Sequence, residues 1–310
     1  MADIHQLLLE LGKDEVLKTG AERQVVEAAA GYLASEDGDI GFIYSGWAQA
    51  ALPHKRLADD AHWEVSTNHL SLIVQPGLRK LPEGPIVHVG IPYGSRARLI
   101  LIYLQSEALR TSTREVELGR SLRVWLGKMG IPIGGKSMAE VRDQCERISR
   151  CRLSFELTKG SRGGLVNQQI VDSAMFDGEE VKQRSRLIEA VKLSESFFTQ
   201  LKRHPVPVAE AAVMHLANNS LALDVYCWLA YRLHILQGPT QISWQALHTQ
   251  FGGSVSQLKN FKPYFKRTLA LALAVYPEAK IDITERGLTL HPSRPPVDKV
   301  QALHGQGNRI

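Results

Sequence analysis

The residues best suited to chemistry in this chain are cations set where anions are missing. From Ser254 to Thr268 no acidic residue occurs, yet the stretch holds Lys259, Asn260, Lys262, Lys266 and Arg267. Ammonium and guanidinium groups neutralise phosphates and a carboxamide pairs with an adenine edge, so the set suits duplex DNA. Val255, Leu258, Phe261, Phe265 and Leu269 recur through the same stretch at helical spacing, which leaves the polar residues an outward face. Pro263 removes one backbone donor within it and predicts either a kink or a straight segment that begins near Lys262. Other cations stand at positions suited to backbone phosphates. Arg286 lies in a Glu285-Arg286-Gly287 turn, Lys159 and Arg162 flank Gly160-Ser161, and Lys136 sits near a helix start, where free N–H groups favour an anion. Arg142, Arg147 and Arg150 interleave with Asp143 and Glu146, a pattern that equally fits a solvated helix face.

Catalytic and cofactor chemistry finds less support. Gly130 to Ser137 satisfies the G-x-x-x-x-G-K-[ST] phosphate-loop pattern. Such a loop requires a buried strand before it, whereas Leu122, Trp125, Leu126 and Met129 keep a helical period. Gly130 reads as a helix stop, and Ser137 with Glu140 as an S-x-x-E capping box for the next helix. None of the 11 histidines forms the His-x-His pair that a strand-nicking enzyme would use for its metal. His54, beside Lys55 and Arg56, reads as a loop residue or a phosphate contact. Cys145, Cys151 and Cys227 show no Cys-x-x-Cys spacing, which points to reduced packing residues, with Cys145 and Cys227 inside apolar helical patterns. The expectation is a protein that is not an enzyme and carries no cofactor and no metal.

The elements that must position these residues repeat. The later copy starts behind an Asn219-Ser220 cap with Leu221, Val225, Trp228, Leu229, Leu233 and Leu236 at helical spacing. A short strand at Gln241-Ile242 follows, then a helix capped by Ser243 with Trp244, Leu247 and Phe251 on its apolar side, the basic helix, and a hairpin of Ile281, Ile283, Leu288 and Leu290. That order is a winged helix. The earlier copy runs through Ala97, Ile100, Leu101, Leu104 and Ala108, a strand at Glu115 to Glu117, a helix ending at Met129, a helix carrying Met138, Val141, Cys145 and Ile148, and a hairpin in which Leu153, Phe155 and Leu157 alternate and Leu165 to Val171 returns. The reading is an α+β fold of two tandem winged-helix domains with an additional N-terminal region: 1–92 helical and extended, 93–193 the first winged helix, 194–292 the second, 293–310 a disordered tail. Residues 1–93 hold seven Lys or Arg against thirteen Asp or Glu, and residues 94–162 hold fourteen against seven, so basic charge gathers on the first winged helix. Met1 to Leu11 fits an amphipathic helix and not a signal peptide, and no stretch suits a membrane span, so a cytoplasmic protein is expected.

Specific strings carry a resemblance. Gly41-Phe-Ile-Tyr-Ser-Gly46, Leu52-Pro-His-Lys-Arg-Leu57, Ile91-Pro-Tyr-Gly94 before Arg98-Leu99, Glu115-Val-Glu-Leu-Gly-Arg-Ser-Leu122, His204-Pro-Val-Pro207, Leu221-Ala-Leu-Asp-Val-Tyr226, Ile242-Ser-Trp244 and Phe261-Lys262 together resemble the plasmid-encoded RepA-type replication initiator family over roughly residues 41–294. The resemblance implies tandem winged helices, binding to directly repeated double-stranded origin sites called iterons, plasmid copy control, recruitment of a host replication initiator and helicase, and a homodimer in equilibrium with monomer. It implies that residues 93–193 also serve dimerisation and that Ser254 to Arg267 reads the major groove. Pro263 stands where the family leads one to expect a polar or basic residue. A winged-helix transcriptional repressor would share the same surface, and a phosphate-loop nucleotide hydrolase is the alternative from another class.

Overall fold

The computed structural model describes residues 4–35, 38–67, 70–159, 162–176, 188–253 and 255–297, with no description of the side chains of 157–159, 162 and 176. Three helices open the chain, α1 Ile4–Leu11, α2 Lys13–Lys18 and α3 Arg23–Leu33. Strand β1 Ile40–Tyr44, helix α4 Ser45–Gln49 and strands β2 Trp63–Ser66, β3 Leu70–Gln75, β4 Gly77–Lys80 and β5 Ile86–Gly90 lead to the first winged helix. It holds α5 Gly94–Thr111, β6 Glu115–Glu117, α6 Arg120–Lys128, α7 Gly135–Arg150, β7 Arg152–Lys159, β8 Arg162–Gln169, β9 Val171–Phe176 and β10 Ile188–Leu193. A bridge of α8 Glu195–Arg203, β11 Pro205–Ala209 and α9 Glu210–Leu216 comes next. The second winged helix is α10 Ser220–Arg232, β12 Thr240–Ser243, α11 Trp244–Phe251, α12 Leu258–Leu273, β13 Ile281–Ile283 and β14 Gly287–Leu290.

Sheet order confirms the tandem and corrects one member of it. The second copy orders its strands β12-β14-β13, and the first orders β6-β10-β9, so in each the strand before the helix pair joins the last strand of the copy. The wing of the first copy is therefore the β9–β10 pair, whose tip falls among residues 177–187, outside the described residues. The hairpin expected there, Leu153 to Val171, forms as β7–β8 but joins a different sheet, β2-β3-β7-β8. Alternation reports that a hairpin exists and which face is apolar, and is silent about its neighbouring strand.

The N-terminal region, read from the sequence only as helical and extended, is woven into the first winged helix and the bridge. β3 pairs with β7 from Leu70 opposite Leu157 to Gln75 opposite Arg152, and β1 pairs with β11 from Ile40 opposite Ala209 to Tyr44 opposite Pro205. The β1–β11 pairing shows why this chain can put two prolines in one strand. The N–H groups of Phe42 and Tyr44, opposite Pro207 and Pro205, turn away to Ser106 Oγ at 2.8 Å and Gln105 Oε1 at 2.6 Å on α5. At these positions neither strand directs an N–H at the other, so proline forfeits no ladder bond and the buried donors are satisfied by α5. The tail also differs from expectation up to residue 297: Tyr276 Oη donates to Arg294 O at 2.7 Å and Val297 is buried, while residues 298–310 lie outside the described residues.

Cores of the two copies are continuous. α10 is buried along most of its length, and Trp228, Phe251, Phe265 and Phe261 chain their rings at 5.4, 5.6 and 5.2 Å between centroids. The three cysteines are free and buried, and burial pushes the Cys145 and Cys151 thiols up to about 12, which keeps them protonated packing groups. No helix among the described residues is long and apolar enough to cross a membrane.

Candidate nucleic-acid interface

The basic helix begins at Leu258, not at Val255, because the chain makes a turn first: Val255 N donates to Gly252 O, and His248 Nε2 lies 2.6 Å from Val255 O. That bond to a carbonyl requires the proton on Nε2. Pro263 stands six residues into a continuous helix. It removes the bond to the Lys259 carbonyl only, so Leu258 to Lys262 still coil onto the helix through the Asn260 and Phe261 N–H groups, which reach Gln257 O at 3.0 Å each. Phe261, Phe265, Leu269 and Ala272 are buried and hold the helix in the core, while Lys259, Asn260, Pro263, Tyr264, Lys266 and Arg267 face outward and Lys262 is half-buried at the edge of that face.

Trp244 organises the neighbourhood. Its backbone N–H donates to Arg286 O at 3.1 Å and its indole Nε1–H to Thr284 O at 3.2 Å, which ties the start of α11 to the β13–β14 turn. The Nζ atoms of Lys262 and Lys266 lie 6.0 and 5.7 Å from its ring centroid, within cation–π range. A buried indole thus joins the second helix, the basic helix and the wing turn, and draws two lysines toward an exposed Arg286. Lys259 lies one turn from Lys262 on the same side. Arg267 is held elsewhere, with Nη2 donating to Glu22 Oε1 at 2.7 Å just before α3.

The first winged helix treats its expected residues differently. Arg147 is 2% exposed; it donates to Asp143 at 2.8 Å, to Asp59 at 3.1 Å and to Ile91 O at 3.4 Å, and lies over the Tyr93 ring, so it serves the core and no DNA. Arg142 is half-buried. Arg150 donates to Leu78 O at 2.9 Å and Arg79 to Glu146 at 2.7 Å, which fastens the β4–β5 hairpin over the C-terminal half of α7. Lys159 and Arg162 end β7 and begin β8; their side chains, with Gly160 and Ser161, lie outside the described residues. Lys136 is exposed in the first turn of α7, where Gly134 is the N-cap and makes no side-chain cap bond.

The phosphate-loop match meets a helix where a strand is needed, since α6 ends at Lys128 and Gly130 follows in the left-handed region at φ +70°. The expected capping box does not form. α7 begins before Ser137, so that residue falls inside the first turn with its buried Oγ unpartnered, and Glu140 instead faces Arg96 at 4.0 Å. No cluster of His, Cys, Asp and Glu suited to a metal occurs among the described residues.

What sequence reading missed is the joint between the copies. Arg98 is buried and its guanidinium donates to Asp224 Oδ1 and Oδ2 at 2.6 Å each, to Leu52 O at 2.6 Å, to Gly94 O at 2.9 Å and to Pro53 O at 3.3 Å. His54 Nδ1 sits 3.0 Å from Ser220 Oγ and 3.4 Å from Arg98 Nη2. Burial, then the neighbouring Arg98 charge, lower its pKa to about 3, which keeps the ring neutral. Arg98 is the fifth residue of α5 and Asp224 the fifth of α10. Leu101 and Cys227, each the eighth, line one small cavity, and the N-terminal ends of both helices meet, with Arg96 donating to Asn218 Oδ1 at 3.2 Å. The start of α5 is thus packed against the start of α10 and fixed there by one buried ion pair. The one hint in the sequence is Asp224, an acid in an otherwise apolar helical pattern.

In fold the chain is similar to the crystal structure of the SeMet derivatives of domain 2 and domain 3 of RctB, with a TM-score of 0.52 and 13% identity over 82% of this chain and 99% of that one. A second crystal structure, of RctB domains 2-3, aligns with a TM-score of 0.45 and 11% identity over 84% of this chain and 99% of that one. No curated protein matches the chain. The family model described as plasmid encoded RepA protein matches residues 91–246, half of the chain, from the Ile91-Pro-Tyr-Gly94 string through the Arg98–Asp224 joint to Trp244. The chain belongs to the plasmid-encoded RepA family of replication initiators.

Proposed function

We propose that the protein starts plasmid replication by binding directly repeated duplex sites at its origin, and that it works through binding energy with no catalysis of its own. The carrying observation is the outward face of α12: Lys259, Asn260 and Lys266 are exposed, no acid occurs from Ser254 to Thr268, and Trp244 brings the wing turn with Arg286 beside it. In this reading α12 enters the major groove, Asn260 reads a base edge, and Arg286 and Lys136 meet phosphates. Opening of an adjacent origin, recruitment of a host initiator and helicase, control of copy number and an exchange between dimer and monomer in the cytoplasm complete it. Titration of the DNA flanking the protein's own gene, beside random duplex at physiological salt, tests the reading. Preference for the flanking DNA by a factor of about 10³ or more is expected, and equal affinity refutes it.

A further inference from the structure

A second surface lies on the first winged helix, away from α12. Between Glu117 and Glu140 the chain has no acidic residue and carries Arg120, Arg123, Lys128 and Lys136. Lys128 is paired with Asp39 at 2.6 Å, and Lys136, on α7, is the phosphate contact proposed above, whereas Arg120 and Arg123 on α6 are exposed and have no ion-pair partner among the described residues. Two large apolar side chains stand among these cations, Val124 at 64% exposure and Ile133 at 55%. They are neighbours through Gly127: Val124 is one turn before it on α6, and Ile133 folds back so that a Cβ on Gly127 would sit 3.1 Å from Ile133 Cδ1. A ridge of two bare aliphatic groups ringed by unpaired cations suits a protein surface of opposite charge better than a phosphate backbone, which offers nothing to bury Val124 and Ile133 against.

The chain itself carries the complement. At the α1–α2 corner Leu9 is 79% and Leu11 48% exposed, with Glu10 and Asp14 exposed beside them; Lys13 is exposed between these two acids, and Glu15 is paired with Lys18 at 2.6 Å. Copies bound to direct repeats are related by a rotation about the duplex and a step along it, never by a two-fold. Contacts between such neighbours must join two unlike patches, because a head-to-tail relation is heterologous. We propose that the α6 ridge of one copy docks on the α1–α2 corner of the next copy along the repeated DNA. The inference rests on the direct-repeat reading above and adds the surface through which neighbours communicate.

Charge swaps on full-length protein test it, with DNA carrying one site or two adjacent sites as probe. For the wild type, binding to two sites should be cooperative by about tenfold. R120E/R123E should abolish that factor and leave single-site affinity unchanged, and a chain that also carries E10R/D14R should regain it, since it can dock on its own kind. All of these positions are exposed, so an unaltered melting curve certifies the variants. Loss of single-site affinity in R120E/R123E means that α6 touches DNA and overturns the proposal, as does cooperativity that is lost without rescue, or never lost. Absence of specific binding to one site refutes the direct-repeat reading itself, whereas specific single-site binding with no cooperativity refutes only this proposal.

Discussion

Replacing Arg98 with methionine is expected to cost at least about 3 kcal/mol of folding stability, because it strands a buried carboxylate. The Arg98 guanidinium meets five acceptors, the two oxygens of Asp224 and the carbonyls of Leu52, Pro53 and Gly94, and both side chains are nearly excluded from water, at 7% and 10% exposure. Removing one partner of such a pair typically costs about 3 to 5 kcal/mol, since the remaining charge keeps its desolvation penalty without its attraction. Protonation of Asp224 gives partial relief, because burial already pushes its carboxyl up against the opposing pull of Arg98. Asp224→Leu should cost a similar amount by stranding the guanidinium. The double variant Arg98→Met/Asp224→Leu should recover much of either loss, as apolar replacement of whole buried pairs is often neutral. Urea unfolding followed by circular dichroism measures the cycle, and a coupling of roughly 2 kcal/mol or more is expected. A single Arg98→Met that costs under about 1 kcal/mol, or a double variant no better than the sum, would show that the joint is solvated and that the copies are not held through it.

His54 is neutral in the fold with a pKa lowered to about 3, against an ordinary value of 6.5, so the unfolded chain takes up a proton that the folded one refuses; the stability is complete above pH 6.5 and is lost as pH falls toward 3. Between pH 7 and pH 5 this amounts to about 2 kcal/mol; His54→Asn, whose carboxamide oxygen still accepts, should reduce the loss over that interval, and an identical loss would refute the assignment. Asn260→Ala should weaken binding to the repeated site by about 1 to 3 kcal/mol and barely affect random duplex, whereas Arg286→Ala should weaken both and lower the salt slope by about one. Titrations at several salt concentrations decide, and an unchanged specificity ratio for every substitution from Gln257 to Arg267 would exclude α12 as the reading helix. Calorimetric titration with ATP should show no saturable binding to the wild type or to Lys136→Ala, because a helix precedes Gly130; micromolar binding lost in the variant would reverse that view of the loop.

Legibility divides along a physical line. Apolar periodicity is local, and it locates α10, α11, the buried side of α12 and the β13–β14 hairpin within a few residues of where they form. Partnership is not local. Nothing between Leu153 and Val171 announces that β7 pairs with β3 about 80 residues earlier, or that the first wing is β9–β10. Arg147 resembles a solvated cation in the sequence because Asp59 and Ile91, which bury it, come from outside the helix. His54 reads as a loop residue because Ser220 and Arg98 lie far along the chain. Several of the strings that carry the family resemblance meet at one place in space: Tyr44, Leu52, His54, Gly94, Arg98, Pro205 and Asp224 all belong to the β1–β11 pair or the buried ion pair.

The two copies share an order of elements and differ in what they leave uncovered, and on the proposed reading that difference divides their labour. On α7, Arg142, Arg147 and Arg150 are matched by Glu140, Asp143 and Glu146, and the β4–β5 hairpin is pinned across the C-terminal half by Arg79 and Arg150. A helix that enters a groove passes between two phosphate rows, and carboxylates on its outer face oppose that approach. α12 has no such acids, and among the described residues its ion pair is Arg267 to Glu22, at the far end from the wing turn. On the proposed reading bases are read by the second winged helix, while the first offers the capless end of α7 to phosphate and the cationic ridge of α6 to a neighbour, and the Arg98–Asp224 pair fixes α5 to α10, on which α12 packs. An altered Asn260 should change which sequence is preferred, and an altered Arg98 should change how firmly every sequence is held.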